Sequence, residues 1–305
     1  MKRHQRRNLR FLCILVLLLL AHGTAHAQSG RILFAGRGET SWDIWSIKPD
    51  GSDLRQLTND PGDERRPAMS PDGGELVFVN SRRNLAVLQA GRPPAKEIPL
   101  PDIGYYDQPS WLPDGSGLVF VRYQVVPADR SEILLMKRGE EDGWLPPSRL
   151  AEPPAMRLFP AVSPDGRQLA FTESFRNESG QLYEEIGLAD MSGKVTRMLT
   201  DHKADSLRPA WSPDGRRLLF SSDREGNYDI WLLDTISGVS TRLTADPAYD
   251  GDPAWSPDGR AVVFVSGRSG ERQLWIQEID ATEARQCTRL EGGVMDPTWI
   301  MEKNK

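Results

Sequence analysis

Residues 206–234 read SLRPAWSPDGRRLLFSSDREGNYDIWLLD. Three short apolar runs in this stretch, PAW, RLLF and DIWLL, are separated by Pro-Asp-Gly and by the polar Asp-Arg-Glu-Gly-Asn. Proline presets φ at the second position of a turn, aspartate bonds nearby amides, and glycine takes the positive φ that closes a hairpin. The runs are too short and too rich in aromatic and aliphatic groups for helices, so the stretch predicts three antiparallel strands.

The same stretch recurs along the chain. An aliphatic run ending in Phe occurs at Phe34, Phe78, Phe120, Phe171, Phe220 and Phe264, at spacings of 44, 42, 51, 49 and 44 residues. About ten residues before each later Phe stands a proline followed two residues on by a large apolar side chain: Pro67/Met69, Pro109/Trp111, Pro160/Val162, Pro209/Trp211 and Pro253/Trp255, with a sixth copy at Pro297/Trp299. Pro-Asp-Gly joins the two elements at Pro71, Pro113, Pro164, Pro213 and Pro257. A third run follows each Phe (WDIWSI, NLAVLQ, EILLMK, EIGLAD, DIWLLD, QLWIQE) and a fourth closes the unit (DLRQLT, AKEIPL, PPSRLA, KVTRML, VSTRLT, QCTRLE). Helical periodicity is nowhere sustained.

Four antiparallel strands per unit of about 45 residues is the arithmetic of a β-propeller blade. The expected fold is all-β, a six-bladed β-propeller of four-stranded antiparallel blades over residues 28–305. Residues 31–58 supply the second to fourth strands of blade one, and Asp296 to Met301 supply its innermost strand. That closure removes the open edge between the first and last blades. Seven of nine tryptophans fall at equivalent positions and are expected between blades, with Ala68, Ala161, Ala210 and Ala254 on the crowded axial side.

The first 27 residues predict a secretion signal: Lys2, Arg3, Arg6, Arg7 and Arg10, then FLCILVLLLLA, then Ala25-His26-Ala27, with cleavage before Gln28. An 11-residue apolar run is too short to span a bilayer core of about 30 Å. The expected location is the periplasm, with no transmembrane segment in the mature chain. Losing five cations and no acid takes the formal charge from −5 to −10, which argues against a nucleic-acid surface. Cys13 lies in the signal without a lipoprotein cleavage context, so Cys287 is the only mature cysteine and thiolate metal sites are excluded.

Residues 206–234 and DPAWSPDGRAVVFVSGRSGERQLWIQEID (252–280) resemble the repeats of TolB-type six-bladed propellers, components of the Tol-Pal cell-envelope system. The resemblance covers essentially the whole mature chain. The resemblance implies an α/β domain before the propeller in other members of the family; none is expected here, because blade one is expected to begin within four residues of the cleavage site. The resemblance implies propeller-mediated binding of an envelope protein or lipoprotein. Related propellers also occur in peptidases and lyases, so the fold alone does not name a function.

Catalytic material is scarce. His202 is the only histidine after the signal and is expected on the surface between blades four and five; no Gly-x-Ser-x-Gly elbow is present. No cofactor is expected, although several carboxylates near one channel mouth would also suit calcium. Those carboxylates are Asp63, Glu64, Asp107, Asp205, Asp250, Asp252 and Asp296, in the segments entering the innermost strands. They serve either to hold turn amides or to form an acidic, ligand-facing rim with Arg65, Arg66, Arg157 and Arg208. Tyr105, Tyr106, Phe159 and Tyr249 complete the expected rim, either as recognition aromatics or as caps on the channel. The repeated Arg after the Phe strand (Arg37, Arg82, Arg224, Arg268) is expected to brace neighbouring blades. Blade three inserts residues 122–132 and 138–149, and blade four residues 173–185; these are functional loops or neutral length variation. The leading expectation is a monomeric, non-catalytic scaffold that binds its partner at the rim; the alternative is an enzyme or glycan-binding protein acting on a polar ligand in the channel.

Overall fold

The computed structural model describes residues 28–90, 92–100, 104–124, 130–140, 143–150 and 156–302; the expected secretion signal lies outside them. The described residues form six four-stranded antiparallel sheets. In five of them the strands follow chain order from the axis outward, and the sixth is built from both ends of the chain. The innermost strands are Val294–Ile300 in blade one, then Arg65–Met69, Tyr105–Trp111, Arg157–Val162, Ser206–Trp211 and Asp250–Trp255. Each touches the innermost strand of the next blade, and the cycle closes. Among the described residues no helix is long and apolar enough to cross a membrane.

The Pro-Asp-Gly element is a four-residue device that begins with serine. In blade five the Ser212 hydroxyl donates to Asp214 Oδ1 at 2.5 Å and accepts the Arg217 N–H at 2.9 Å, which locks the first strand to the second. Blades two, four and six repeat it with Ser70, Ser163 and Ser256. Blade three has the buried Leu112 instead, and there Asp114 takes the Ser116 hydroxyl and N–H. The turn glycine is left-handed in all five copies, with φ between 70° and 73°.

Tryptophan and alanine meet across the seams as expected, through a specific bond. Trp111, Trp211 and Trp255 each donate the indole N–H, at 3.0 Å, to the carbonyl of Ala68, Ala161 and Ala210 in the preceding blade. The six Phe side chains are at most 1% exposed and form the core between sheets.

Two details differ from the sequence reading. The fourth strand of blade six is Ala284–Gln286, not QCTRLE, because Thr288 ends the strand by accepting the Leu274 N–H at 2.8 Å, as Thr58, Thr200 and Thr244 do in their blades. The blade-four insertion is not a loop: its strands Gln168–Arg176 and Leu182–Asp190 run nine residues each, and Phe175 stacks on Tyr183 with ring centroids 5.7 Å apart.

Candidate binding site in the central channel

Every innermost strand breaks its pairing with the second strand at a bulge just before the repeated proline. The residue in front of that proline is left-handed in all six blades: Arg66, Gln108, Phe159, Arg208, Asp252 and Asp296, with φ between 51° and 59°. A side chain in this region costs roughly 1–2 kcal/mol, and a following proline disfavours helical conformations further. Such strain persists only where the surrounding structure imposes it. Here six bulges turn six side chains toward the axis, and all six line one cavity of about 410 Å³ together with the six prolines behind them.

These side chains bridge the channel. Arg208 Nη1 lies 2.9 Å from both Asp252 Oδ1 and Asp296 Oδ1. Arg66 pairs with Asp296 and lies 3.4 Å from Asp107 Oδ1. Both guanidiniums lie against the Phe159 ring, at 4.7 Å for Arg208 and 5.4 Å for Arg66. Gln108 accepts the Phe159 N–H at 2.5 Å and donates to Tyr123 Oη at 3.0 Å. Burial pushes the Asp296 carboxyl up, but Arg66 and Arg208 outweigh it and hold the group below its ordinary value. Burial also opposes the charge on Arg208, and Asp252 and Asp296 reverse the balance, so this guanidinium stays protonated.

On the other side of this bridge a second cavity, of about 220 Å³, is lined by Asp63, Arg65, Arg66, Arg83, Asp107 and Asp296 among others. Arg83 lies over the Tyr105 ring at 5.2 Å, and Tyr105 is 47% exposed. Tyr249 extends the mouth: its hydroxyl is 3.4 Å from Asp252, its ring packs 5.6 Å from Tyr228, and Tyr228 donates to Asp205 at 2.5 Å. A Cβ at Gly251 would collide with the Tyr249 ring, so a larger residue there would displace Tyr249. Burial, then Asp252, raises the Tyr249 hydroxyl above its ordinary value.

Phe159, Arg208, Asp252 and Asp296 therefore lie in the channel, Asp63, Arg65 and Asp107 at its mouth, and Asp205 and Tyr249 beside it. Four expected rim residues do not belong there. Glu64, Tyr106, Arg157 and Asp250 stand three places before the repeated proline, where the strand turns side chains into the seam, and each is at most 9% exposed. Tyr106 packs edge-on against Phe120, Arg157 pairs with Glu173 at 2.8 Å, and Asp250 with Arg268 at 2.7 Å. Burial raises the Glu64 carboxyl to about 7, with Asp60 and Asp43 adding to the shift. Gln108 was not expected; its only signal is its place before a repeated proline. The rim is thus a neutralised lattice of arginines and carboxylates rather than an acidic ring.

The repeated arginines also differ from expectation. Arg224 lies 3.2 Å from the Trp231 ring centroid, Arg268 lies 4.9 Å from that of Trp275, and Arg82 pairs with Glu97, all within one blade. Arg224 and Arg268 thus cover rings of their own blade, whereas Arg82 meets a carboxylate and Arg37 packs against Gly292. His202 is exposed, with Nε2 2.6 Å from Arg224 Nη1.

A closed ring of six four-stranded sheets around an ion-paired axis places the protein in the class of six-bladed β-propellers. The sequence profile of the TolB beta propeller domain (PD40) matches residues 128–305, and the chain belongs to that family. Among curated relatives it is 27% identical over 166 residues to the protein TolB homolog of Chlorobium luteolum, covering 52% of this chain and 35% of that protein. It is 49% identical over 41 residues to the Tol-Pal system protein TolB of Nitratidesulfovibrio vulgaris, covering 13% of this chain and 9% of that one. The chain thus spans only about a third or less of either relative. Among solved structures, TolB from Acinetobacter baumannii superposes with a TM-score of 0.73 at 21% identity, over 90% of this chain and 68% of that one, which is a likeness of fold.

Proposed function

We propose that this chain is a periplasmic envelope protein, exported through residues 1–27, whose propeller acts as a monomeric scaffold and binds another envelope protein or lipoprotein at the channel mouth, with no cofactor and no catalytic step. The observation that carries this reading is the ion-paired bridge across the axis. It gives the mouth a rigid floor of Arg66, Asp107 and Asp296, under a rim whose exposed groups, Tyr105 and Arg65, are of the kinds that anchor protein interfaces. The similarity to a Tol-Pal system protein supports a partner from that system.

Cross-linking in the native envelope identifies the partner. Arg65→Glu combined with Tyr105→Ala should then weaken binding of the purified partner at least tenfold in a calorimetric titration, with an unchanged melting temperature. Undiminished binding by the folded double variant would overturn the mouth as the interface.

A further inference from the structure

Blades one and five carry the same Asp-Ile-Trp in their third strands, at 43–45 and 229–231, but serve it differently. In blade five two guanidiniums attend these residues. Arg242 Nη2 bonds the buried Asp229 Oδ2 at 2.5 Å, and Arg224 lies over the Trp231 ring at 3.2 Å. Arg242 stands opposite Trp231 in the strand register, and the residue opposite Trp45 in blade one is Gln56.

Gln56 donates to Asp43 Oδ2 at 3.2 Å but brings no charge. Asp43 is 1% exposed, and its Oδ1 has no hydrogen-bond partner among the described residues. Arg37, the counterpart of Arg224, is exposed and packs against Gly292; among the described residues no guanidinium lies over Trp45. Asp43, Trp45 and Gln56 instead line a cavity of about 810 Å³, rimmed by Arg37, Glu39 and Glu291. Asp60 and Asp63 add their negative charge to that of Asp43, so the local field favours a cation.

We propose that this cavity binds a guanidinium group, stacked on Trp45 and hydrogen-bonded to Asp43, in the arrangement that the chain's own arginines adopt in blade five. A guanidinium fits better than an ammonium because it is planar and weakly hydrated, so it stacks on an indole while its fork meets a carboxylate. The site lies apart from the channel mouth and does not depend on the identity of the partner there.

The test uses the protein alone, following the Trp45 indole N–H by NMR during titration with Nα-acetyl-arginine amide, with the citrulline and lysine analogues as controls. A saturable shift with the arginine compound, at least tenfold weaker with either control, supports the site. Gln56→Arg would supply the guanidinium internally; it should abolish the response and raise the melting temperature by about 2–4 °C. An equal response to citrulline, no saturable shift, or full binding by folded Gln56→Arg protein overturns the proposal. Asp43→Asn should lose the response, and Trp45→Leu, which lacks the reporter indole and is therefore followed by calorimetric titration, should lose binding as well; unchanged affinity in either folded variant overturns the assignment. Tighter binding of glycyl-arginyl-glycine amide than of free arginine assigns the site to a protein segment, and the reverse to a free small molecule; both support a guanidinium site.

Discussion

Glu64 sits in the seam between blades one and two, 2% exposed, with its Oε2 unpartnered among the described residues. Burial is the main reason its carboxyl titrates near 7, and Asp60 and Asp43 push it the same way. In the unfolded chain a glutamate titrates near 4.3. The folded state therefore holds the proton more tightly, and the stability this contributes is fully present below about pH 4.3 and is lost as pH rises through about 7. Glu64→Gln should be more stable than the parent near pH 8, by about 1–3 kcal/mol, and should lose the fall in stability between about pH 5 and 8. Urea unfolding at the two ends of that range measures both; a parallel decline in the variant would place the pH dependence elsewhere. The residue scale is also where sequence reading reached its limit. In Asp-Glu-Arg-Arg-Pro, 63–67, simple alternation cannot say which side chain meets the axis, because a bulge and a left-handed residue intervene and proline ordinarily disfavours that conformation in its predecessor. Arginines and carboxylates were legible as a cluster, whereas their sorting into channel, mouth and seam was not.

At the scale of elements, one hydroxyl carries two bonds at each Ser-Pro-Asp-Gly turn, so its loss should be felt by the whole hairpin. Ser212→Ala removes the donor to Asp214 and the acceptor for the Arg217 N–H, with the serine itself fully buried. An expected cost of about 1–3 kcal/mol follows from leaving a partly buried N–H unpaired, and chemical denaturation should show it as a lower midpoint at unchanged slope. In blade three Leu112 places an apolar side chain in the core at this position, and Ser116 takes over one of the two bonds by donating its hydroxyl to Asp114. Elements were legible because turn chemistry and apolar runs repeat together, and the few misplacements fall where one of these signals fails. The blade-six outer strand, three residues long, has too little alternation to fix its limits. The polar tip of the blade-four insertion gives it the signature of a loop and hides two strands that continue through Phe175 and Tyr183.

For the whole molecule, Val294–Ile300 does two separable things. It pairs with Arg31–Arg37 and places Val294 and Trp299 in the core shared with Ile32, Phe34 and Val263. It also brings Asp296 between Arg66 and Arg208, so the ring and the charge balance of its axis are completed by the same seven residues. Removing residues 294–305 leaves Arg31–Arg37 as an open edge with exposed apolar side chains, a template for pairing with other chains. It also takes from Arg66 and Arg208 the carboxylate they share, leaving Arg66 with Asp107 and Arg208 with Asp252, a less balanced state for partly buried charges. The truncated protein should lose its cooperative thermal transition and elute as large species in size-exclusion chromatography. Asp296→Asn separates the two effects, since it keeps the strand and withdraws only the charge: it should melt several degrees lower, yet cooperatively and as the same species as the parent. If the truncated chain instead melted cooperatively near the parental temperature, the ring would be held by its seams alone, and closure by the terminal strand would not be what sets the geometry of the mouth.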